Sequence, residues 1–596
     1  MFKGLRFFLR EGWKYDKKYV LWLVLYQLVN SMIPVVSALL PKLVIDELTG
    51  AQRVERLILY VGAFAGYLFL ANALSNFFFW DGFTHRVNVS AEFDLWMHER
   101  LTLADFGCME SPEFHDMQAK AKKFLTCDYH GFGYLLDCAM RIVGQMFTLI
   151  GLIAILLTLN VWFVALFVVL SVICSLVESR ATKASMKLRM GIAATERAWM
   201  YCAGLFEKPQ WAKEIRLNGI GKWLLDKERQ CTYIDNDSYR RSNNHYIRSG
   251  AVRSGLTFIQ QCAAYAFLTV RVLSGGMGVG SFTMCVGAVT SFADAMRQVL
   301  DSINEIRAYD MYYDKLDEYL NVPQTLRQGR LPVENGPHTI EFRNVSFRYP
   351  GAKVWALRNV SLTLREGERL SLVGENGSGK TTLIKLLCRL YDPTEGEIRM
   401  DGVDIRNLDY DQYLAQFAAV FQDLQLFDFS LRDNLALGRE IDDAELMRIL
   451  DQVGLRERVE TLPDGLETYV GRTFDERGFE PSGGEAQKIA LARALCKDAP
   501  VVILDEPTAA MDARAEYELY RSFDALVGGK TAVYISHRMS SSRFCDRIAV
   551  LDGGKLAEYG THDELMAKEG KYAELYALQA QYYSDETNLL DKSEME

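Results

Sequence analysis

Gly374-Glu375-Asn376-Gly377-Ser378-Gly379-Lys380-Thr381-Thr382 is the stretch whose reading decides the fold of the second half of this chain. It follows the short apolar run Leu370–Val373 and opens the helical pattern 383–390. That order of strand, GxxxxGK(S/T) loop and helix is the context a phosphate-binding loop requires. Its glycines let backbone N–H groups turn toward one centre, and the helix N-terminus adds the positive end of its dipole. Lys380 is placed to reach the β- and γ-phosphates of a nucleotide, and Thr381 to hold Mg²⁺ through its hydroxyl.

Downstream, Val501-Val502-Ile503-Leu504 reads as a buried strand delivering Asp505 and Glu506 just before Pro507. Asp505 suits support of Mg²⁺, and Glu506 suits a general base that polarises the attacking water. His537 follows the next such strand, Thr531–Ser536, where it would contact the γ-phosphate. Ser482-Gly483-Gly484 opens the helical run 486–496 and offers a second anion-binding helix start. One nucleotide does not need two such cradles, whereas two copies of the domain face to face would each lend one to the other. Upstream, Tyr349 follows an alternating strand, 340–347, as either an adenine-stacking ring or a strand-end packing residue.

The first half has a different character. Of the 596 residues 49% are hydrophobic, and long uncharged runs concentrate before residue 300. Helices of about 20 apolar residues span a bilayer, so the pattern predicts six spanning helices near 19–41, 57–80, 136–159, 161–180, 250–273 and 279–300. Residues 1–18, with Trp13 among Lys3, Arg6, Arg10 and Lys14, predict a helix lying on the membrane surface. Lysine and arginine crowd the two long connections after the second and fourth spans, which places these connections and both termini on the cytoplasmic side. Gln27, Asn30, Asn72, Arg141, Gln145, Gln260, Gln261, Asp294 and Arg297 are polar residues of this apolar half and candidates for a transport pathway. The net charge of −10 argues against a nucleic-acid partner. Eleven scattered cysteines with no CxxC pair argue against a disulfide framework. The expected division is a transmembrane domain over 1–322, a Pro- and Gly-containing linker over 323–338, a nucleotide-binding domain over 339–581 and an acidic tail over 582–596.

Together Tyr349, Gly374–Thr382, Gln422, Ser482-Gly483-Gly484, Asp505-Glu506, Asp512 and His537 resemble the ATP-binding-cassette (ABC) family. The six spans ahead of them resemble its half-size exporters of drugs, lipids and peptides. The resemblance implies a membrane α-helical bundle joined to an α/β nucleotide-binding domain. It implies ATP and Mg²⁺ as cofactors and a second half-transporter, identical or related, as partner. Tyr349 then matches the adenine-stacking aromatic, Gln422 the loop glutamine that senses Mg²⁺, Asp512 the dimer-contact loop and His537 the switch histidine. Segments near Pro112 and Pro209 match the coupling helices, with Phe114 and Trp211 as anchors and Glu476 as the acid that touches them. Pro481 and Glu485 stand where the family usually has Leu and Gln. The implied activity is ATP-driven export across the cytoplasmic membrane by alternating access. Import of a siderophore-, haem- or vitamin-like molecule, or a nucleotide-gated channel or regulator, are the alternatives. The transported substrate is not legible in the residues.

Overall fold

The computed structural model describes residues 3–126, 133–158, 161–506, 528–535 and 539–579. The chain divides into two compact units, Met1–Leu103 with Pro112–Val322, and Ala104–Ser111 with Pro323–Glu596. His537, Asp512 and the acidic tail lie outside the described residues.

The first unit is helical. It contains α1 (Lys3–Tyr15), α2 (Lys17–Thr49) and α3 (Val54–Thr102); α4 (Phe106–Met109) falls in the second unit. The helical chain resumes with α5 (Pro112–Thr126), α6 (Tyr134–Leu156), α7 (Val161–Gly191), α8 (Ala193–Glu207), α9 (Pro209–Leu217), α10 (Gly221–Leu273) and α11 (Val279–Leu320). Six of them, α2, α3, α6, α7, α10 and α11, contain stretches long and apolar enough to cross a membrane. α3 and α10 run for 49 and 53 residues, about 75–80 Å at the α-helical rise. A bilayer core takes only about 30 Å of that, so each helix continues well past its apolar stretch. Leu152 of α6, Phe167 of α7, Leu268 of α10 and Phe292 of α11 form a buried cluster, while Phe69 and Phe258 stay exposed. That inversion suits helices whose outer faces meet lipid rather than water.

Two expectations need correction. The apolar side of the N-terminal helix is shared with other helices of its unit rather than left wholly to a membrane surface. Phe7 and Phe8 are buried, the Phe7 ring packs edge-on to Phe93 of α3 at 5.8 Å, and Asp310 of α11 accepts from the Gly4 N–H at 2.8 Å. Trp13 remains exposed, at 52%. The transmembrane domain is also not continuous to residue 322, because Ala104–Ser111 belongs with the second unit.

In the second unit, β1 (Ile340–Phe347), β2 (Leu357–Leu364), β4 (Glu395–Met400) and β5 (Val403–Asp404) form an antiparallel sheet of order β2-β1-β4-β5. β3 (Arg369–Val373), β6 (Phe417–Val420), β7 (Val501–Asp505), β8 (Thr531–Ile535), β9 (Arg547–Asp552) and β10 (Lys555–Gly560) form the other sheet, of order β10-β9-β3-β8-β7-β6. Its β9-β3-β8-β7-β6 portion is parallel. The central strands β7 and β8 are buried at every position, as continuous apolar strands covered on both faces must be. Helix α12 (Lys380–Leu387) leaves β3 and buries Leu383, Ile384, Leu386 and Leu387 in the core.

Candidate nucleotide site

Parallel register assembles this site. β3 pairs with β8 as Leu372 with Ile535, β8 with β7 as Ile535 with Asp505, and β7 with β6 as Leu504 with Val420. Residues just past these pairs emerge side by side at the carboxyl edge of the sheet, where open α/β folds bind ligands. The phosphate loop leaves β3 there, and Asp505, Glu506 and Gln422 arrive there from β7 and β6. Gln422 and Glu506 each lie two residues beyond a paired position, and the Gln422 Nε2 donates to Glu506 Oε2 at 2.7 Å.

Two of the loop glycines are steric necessities. At Gly374, with φ +151°, an added Cβ would lie 2.3 Å from the Leu551 carbonyl oxygen. At Gly379, with φ +107°, it would lie 2.6 Å from Leu357 Cδ2. Gly379 caps α12 without any side-chain hydrogen bond, so the first N–H groups of that helix are not consumed by a capping side chain. Ser378 Oγ is buried without a partner. The Lys380 ammonium, itself buried, donates to the carbonyls of Gly374 at 2.8 Å and Glu375 at 3.0 Å. Burial lowers its pKa, against the opposing pull of Glu506 and Asp505.

At the end of β7, burial and then the Glu506 charge push the Asp505 carboxyl up to about 6, against Thr381 and Lys380, which lower it. Thr381 Oγ1 stands 3.5 Å from Asp505 Oδ2, and Asp505 Oδ1 is buried without a partner. A hydroxyl beside an under-satisfied buried carboxylate is a hard-oxygen donor set that fits Mg²⁺. Among the described residues no cluster of three metal-ligating side chains exists, so the ion would share its coordination with phosphate oxygens, as Mg²⁺ commonly does. Glu506 itself sits at φ +51° with its N–H bonded to the Ile535 carbonyl at 2.9 Å. A left-handed glutamate at a strand end is an uncommon, locally costly backbone state of the kind that clusters at functional sites.

Tyr349 is half-buried beside the loop. Its hydroxyl lies 3.1 Å from Thr382 Oγ1 and its ring packs near-perpendicular to Phe347 and Tyr391. Ser482, Gly483 and Gly484 stand at the start of the helix Gly483–Lys497, where Ser482 is the N-cap of a complete capping box with Glu485. Ser482 and Gly483 are exposed.

The segment expected near Pro112 divides between the two units at that proline. Phe114 is buried within the first unit, 5.7 Å from the Tyr319 ring. The residues associated with the nucleotide domain are Ala104–Ser111 instead. Asp105 accepts from the backbone N–H groups of Thr325 and Leu326 at 2.8 and 3.1 Å. Phe106 packs edge-on to Tyr391 at 5.8 Å, and Glu110 pairs with Lys385 at 3.2 Å and with the Tyr391 hydroxyl. Gly107 permits this approach, because a Cβ there would lie 2.6 Å from the Tyr391 ring. The short Asp105-Phe106-Gly107 signal was overshadowed by the proline five residues beyond Gly107. Glu476 is exposed and is not among the hydrogen-bond partners of this segment. In the first unit Trp211 is 38% exposed on α9.

The ABC transporter family profile matches residues 357–509. The chain is 34% identical over 450 residues to an ATP-dependent lipid A-core flippase of Alkalilimnicola ehrlichii, covering 74% of each protein. It is 28% identical over 569 residues to the subtilin transport ATP-binding protein SpaT of Bacillus subtilis, covering 92% of this chain and 90% of that one. In fold it matches a bacterial Atm1-family ABC exporter solved with ATP bound, with a TM-score of 0.81, 23% identity, and coverage of 95% and 98% of the two chains.

Proposed function

The chain belongs to the ABC transporter family and is an ATP-hydrolysing, multi-pass membrane exporter of the half-size plan, and on that premise we propose how its residues divide the work. Half-size exporters generally act as dimers, so the partner is a second copy or a related half-transporter, with the nucleotide domains on the cytoplasmic side. The phosphate loop and Lys380 bind the ATP phosphates, and Tyr349 stacks on adenine. Thr381 and Asp505, with Gln422, would hold Mg²⁺, which neutralises phosphate charge. Glu506 takes the proton of the attacking water, Gln422 holds that carboxylate in orientation, and His537 contacts the γ-phosphate. Ser482-Gly483-Gly484 of one subunit and its Asp512 loop complete the site of the other. Closure of the two nucleotide domains on ATP drives the membrane helices between inward- and outward-open states, and hydrolysis resets them.

The observation that carries this reading is the Gln422–Glu506 hydrogen bond of 2.7 Å at the same sheet edge as Lys380 and Asp505. ATPase activity of the chain in lipid nanodiscs tests it. Hydrolysis lost in Glu506→Gln, with ATP still bound, supports it, and turnover at the wild-type rate in that variant removes Glu506 from the role. An intact Glu506 also disfavours a gated channel, and the names of the relatives do not favour import.

For the cargo, the first unit contains a cavity of about 340 Å³ whose lining includes Gln27, Asn30, Arg141, Gln145, Phe78 and Phe83. Four of the polar pathway candidates thus meet in one place, against aromatic walls. Tyr19, 2% exposed, also lines it with an unpartnered hydroxyl. A cationic and amide-rich wall beside aromatic rings suits an amphiphile with an acidic head group, and the flippase relative's name is that of a lipid transporter. Arg141→Gln should weaken stimulation of the ATPase by such an amphiphile; unchanged stimulation would move the cargo site elsewhere.

A further inference from the structure

The helix start that serves the opposite ATP carries a charge problem. Glu485 places a carboxylate in the first turn of Gly483–Lys497, beside the exposed Ser482 and Gly483. Ser482 N–H donates to Glu485 Oε2 at 2.8 Å, and Glu485 N–H donates to Ser482 Oγ at 3.3 Å. Such a box satisfies two helix-end donors and leaves the Ser482 hydroxyl proton free to donate outward. A glutamine carbonyl could close the same box without a charge. A carboxylate instead adds a negative charge next to the position where a phosphate would be received.

The structure answers that charge. Arg458 Nε donates to the other oxygen, Glu485 Oε1, at 2.9 Å. The guanidinium lies 5.9 Å from the centroid of Phe479, which is 8% exposed and two residues ahead of Pro481. Arg458 is carried by a separate short helix, Arg456–Glu460. Both carboxylate oxygens are thereby engaged, one by the helix cap and one by a cation anchored on the core. Burial works against ionisation, but the Ser482 bonds and Arg458 together hold the Glu485 carboxyl below the usual range. The carboxylate form is therefore favoured, and Arg458 is the cation paired with it.

We propose that Arg458 is a positioning residue for ATP binding at the dimer interface: through Glu485 it neutralises and orients the Ser482-Gly483-Gly484 helix start, so that this helix start receives a partner-bound γ-phosphate. The proposal rests on the interfacial role given above to Ser482. As a partly exposed pair, Arg458–Glu485 contributes little to folding, so its consequence is in nucleotide affinity.

The test is steady-state ATPase kinetics of the full chain in nanodiscs at low ionic strength. Arg458→Gln should raise KM for ATP about five-fold with kcat within about two-fold of wild type, since one unscreened charge beside a phosphate changes affinity on this scale. Glu485→Gln should lower KM, and Arg458→Gln added to it should change KM less than two-fold. Arg458→Lys, which keeps the charge, should stay within two-fold of wild type, and it provides a second measurement if the glutamine variant fails to fold. An unchanged KM in Arg458→Gln overturns the proposal, as does the same rise in the Glu485→Gln background or a KM in Arg458→Lys as high as in Arg458→Gln. Ser482→Ala separates the two readings. If it leaves ATP turnover intact, the interfacial role of this helix fails; if it impairs turnover while Arg458→Gln does nothing, only the inference about Arg458 fails. A wild-type chain without turnover overturns the self-paired site on which the proposal rests.

Discussion

Two helix N-termini in the nucleotide domain are assigned to phosphate, and they are built in opposite ways. The start of α12 is a glycine at φ +107° with no capping side chain, followed by a buried lysine and held by the edge of a buried parallel sheet. The start of Gly483–Lys497 is a serine-capped box, exposed, and held by side chains. In the first, backbone shape creates the cradle, so no side chain caps the helix start and only glycine fits at Gly374 and Gly379. In the second, the cap is already satisfied by the protein, so recognition falls to one hydroxyl, the glycine backbone and the local charge. A rigid cradle suits the subunit whose own loop binds the nucleotide phosphates. A self-sufficient, exposed helix start suits a surface that meets nucleotide only when two subunits close.

The largest expected effect falls at the sheet edge. Glu506→Gln should lower kcat by about 10²–10⁴, the usual contribution of a general base, while trapping of an ATP analogue by filtration persists. A variant that still turns over would place the hydrolytic group elsewhere than beside the rigid cradle. Gly379→Ala comes next. It forces a Cβ against Leu357 and the Ala356 carbonyl in a left-handed backbone, at a cost of about 1–3 kcal/mol. It should abolish ATP-analogue binding and lower the thermal midpoint. Gly483→Ala, in a regular helix, should leave the midpoint within a few degrees, since alanine suits a helix better than glycine. Equal losses in the two variants would erase the distinction between the cradles.

Acid separates the two sites further. With its carboxyl pushed up to about 6, Asp505 is protonated below that value, and a proton there competes with Mg²⁺. Mg²⁺-dependent analogue binding should therefore fall about ten-fold per pH unit below pH 6 and level off above it. Glu485, held below the usual range, stays ionised through that window and adds no such slope. Without the cation, the raised Asp505 value means that the folded chain binds this proton more tightly than the unfolded chain. Its contribution to stability is then lost as pH rises from about 4 to 6, which a thermal-shift series at fixed salt would resolve. The smallest effect is on folding at the second cradle. Ser482→Ala removes an N-cap worth about 1 kcal/mol and should lower the thermal midpoint of the nucleotide domain by a few degrees at most.

Local sequence spoke most clearly where chemistry demands particular residues at fixed offsets. The loop Gly374–Thr382 was legible because only glycine meets the backbone demands at Gly374 and Gly379. Asp505 and Glu506 were legible because an uninterrupted apolar strand delivered them. The six long apolar helices were legible because a bilayer sets their length and composition. Phe114 was expected as an anchor because a proline nearby is a loud local signal, whereas the packing of Phe106 depends on Tyr391 and Lys385, almost 300 residues away in the chain. The N-terminal helix was misjudged for a related reason. Its amphipathic pattern does not say whether lipid or Phe93 covers Phe7 and Phe8.

Sequence alone therefore determined that this chain carries a phosphate-loop motif, an apolar strand ending in Asp505 and Glu506, and six stretches apolar enough to cross a membrane, because spacing and composition encode those features locally. Tertiary structure alone decided that Gln422 meets Glu506, that Arg458 meets Glu485, and that Gln27, Asn30, Arg141 and Gln145 gather around one cavity. Those pairings depend on strand register and helix packing, which bring together residues whose separation along the chain carries no periodic signal.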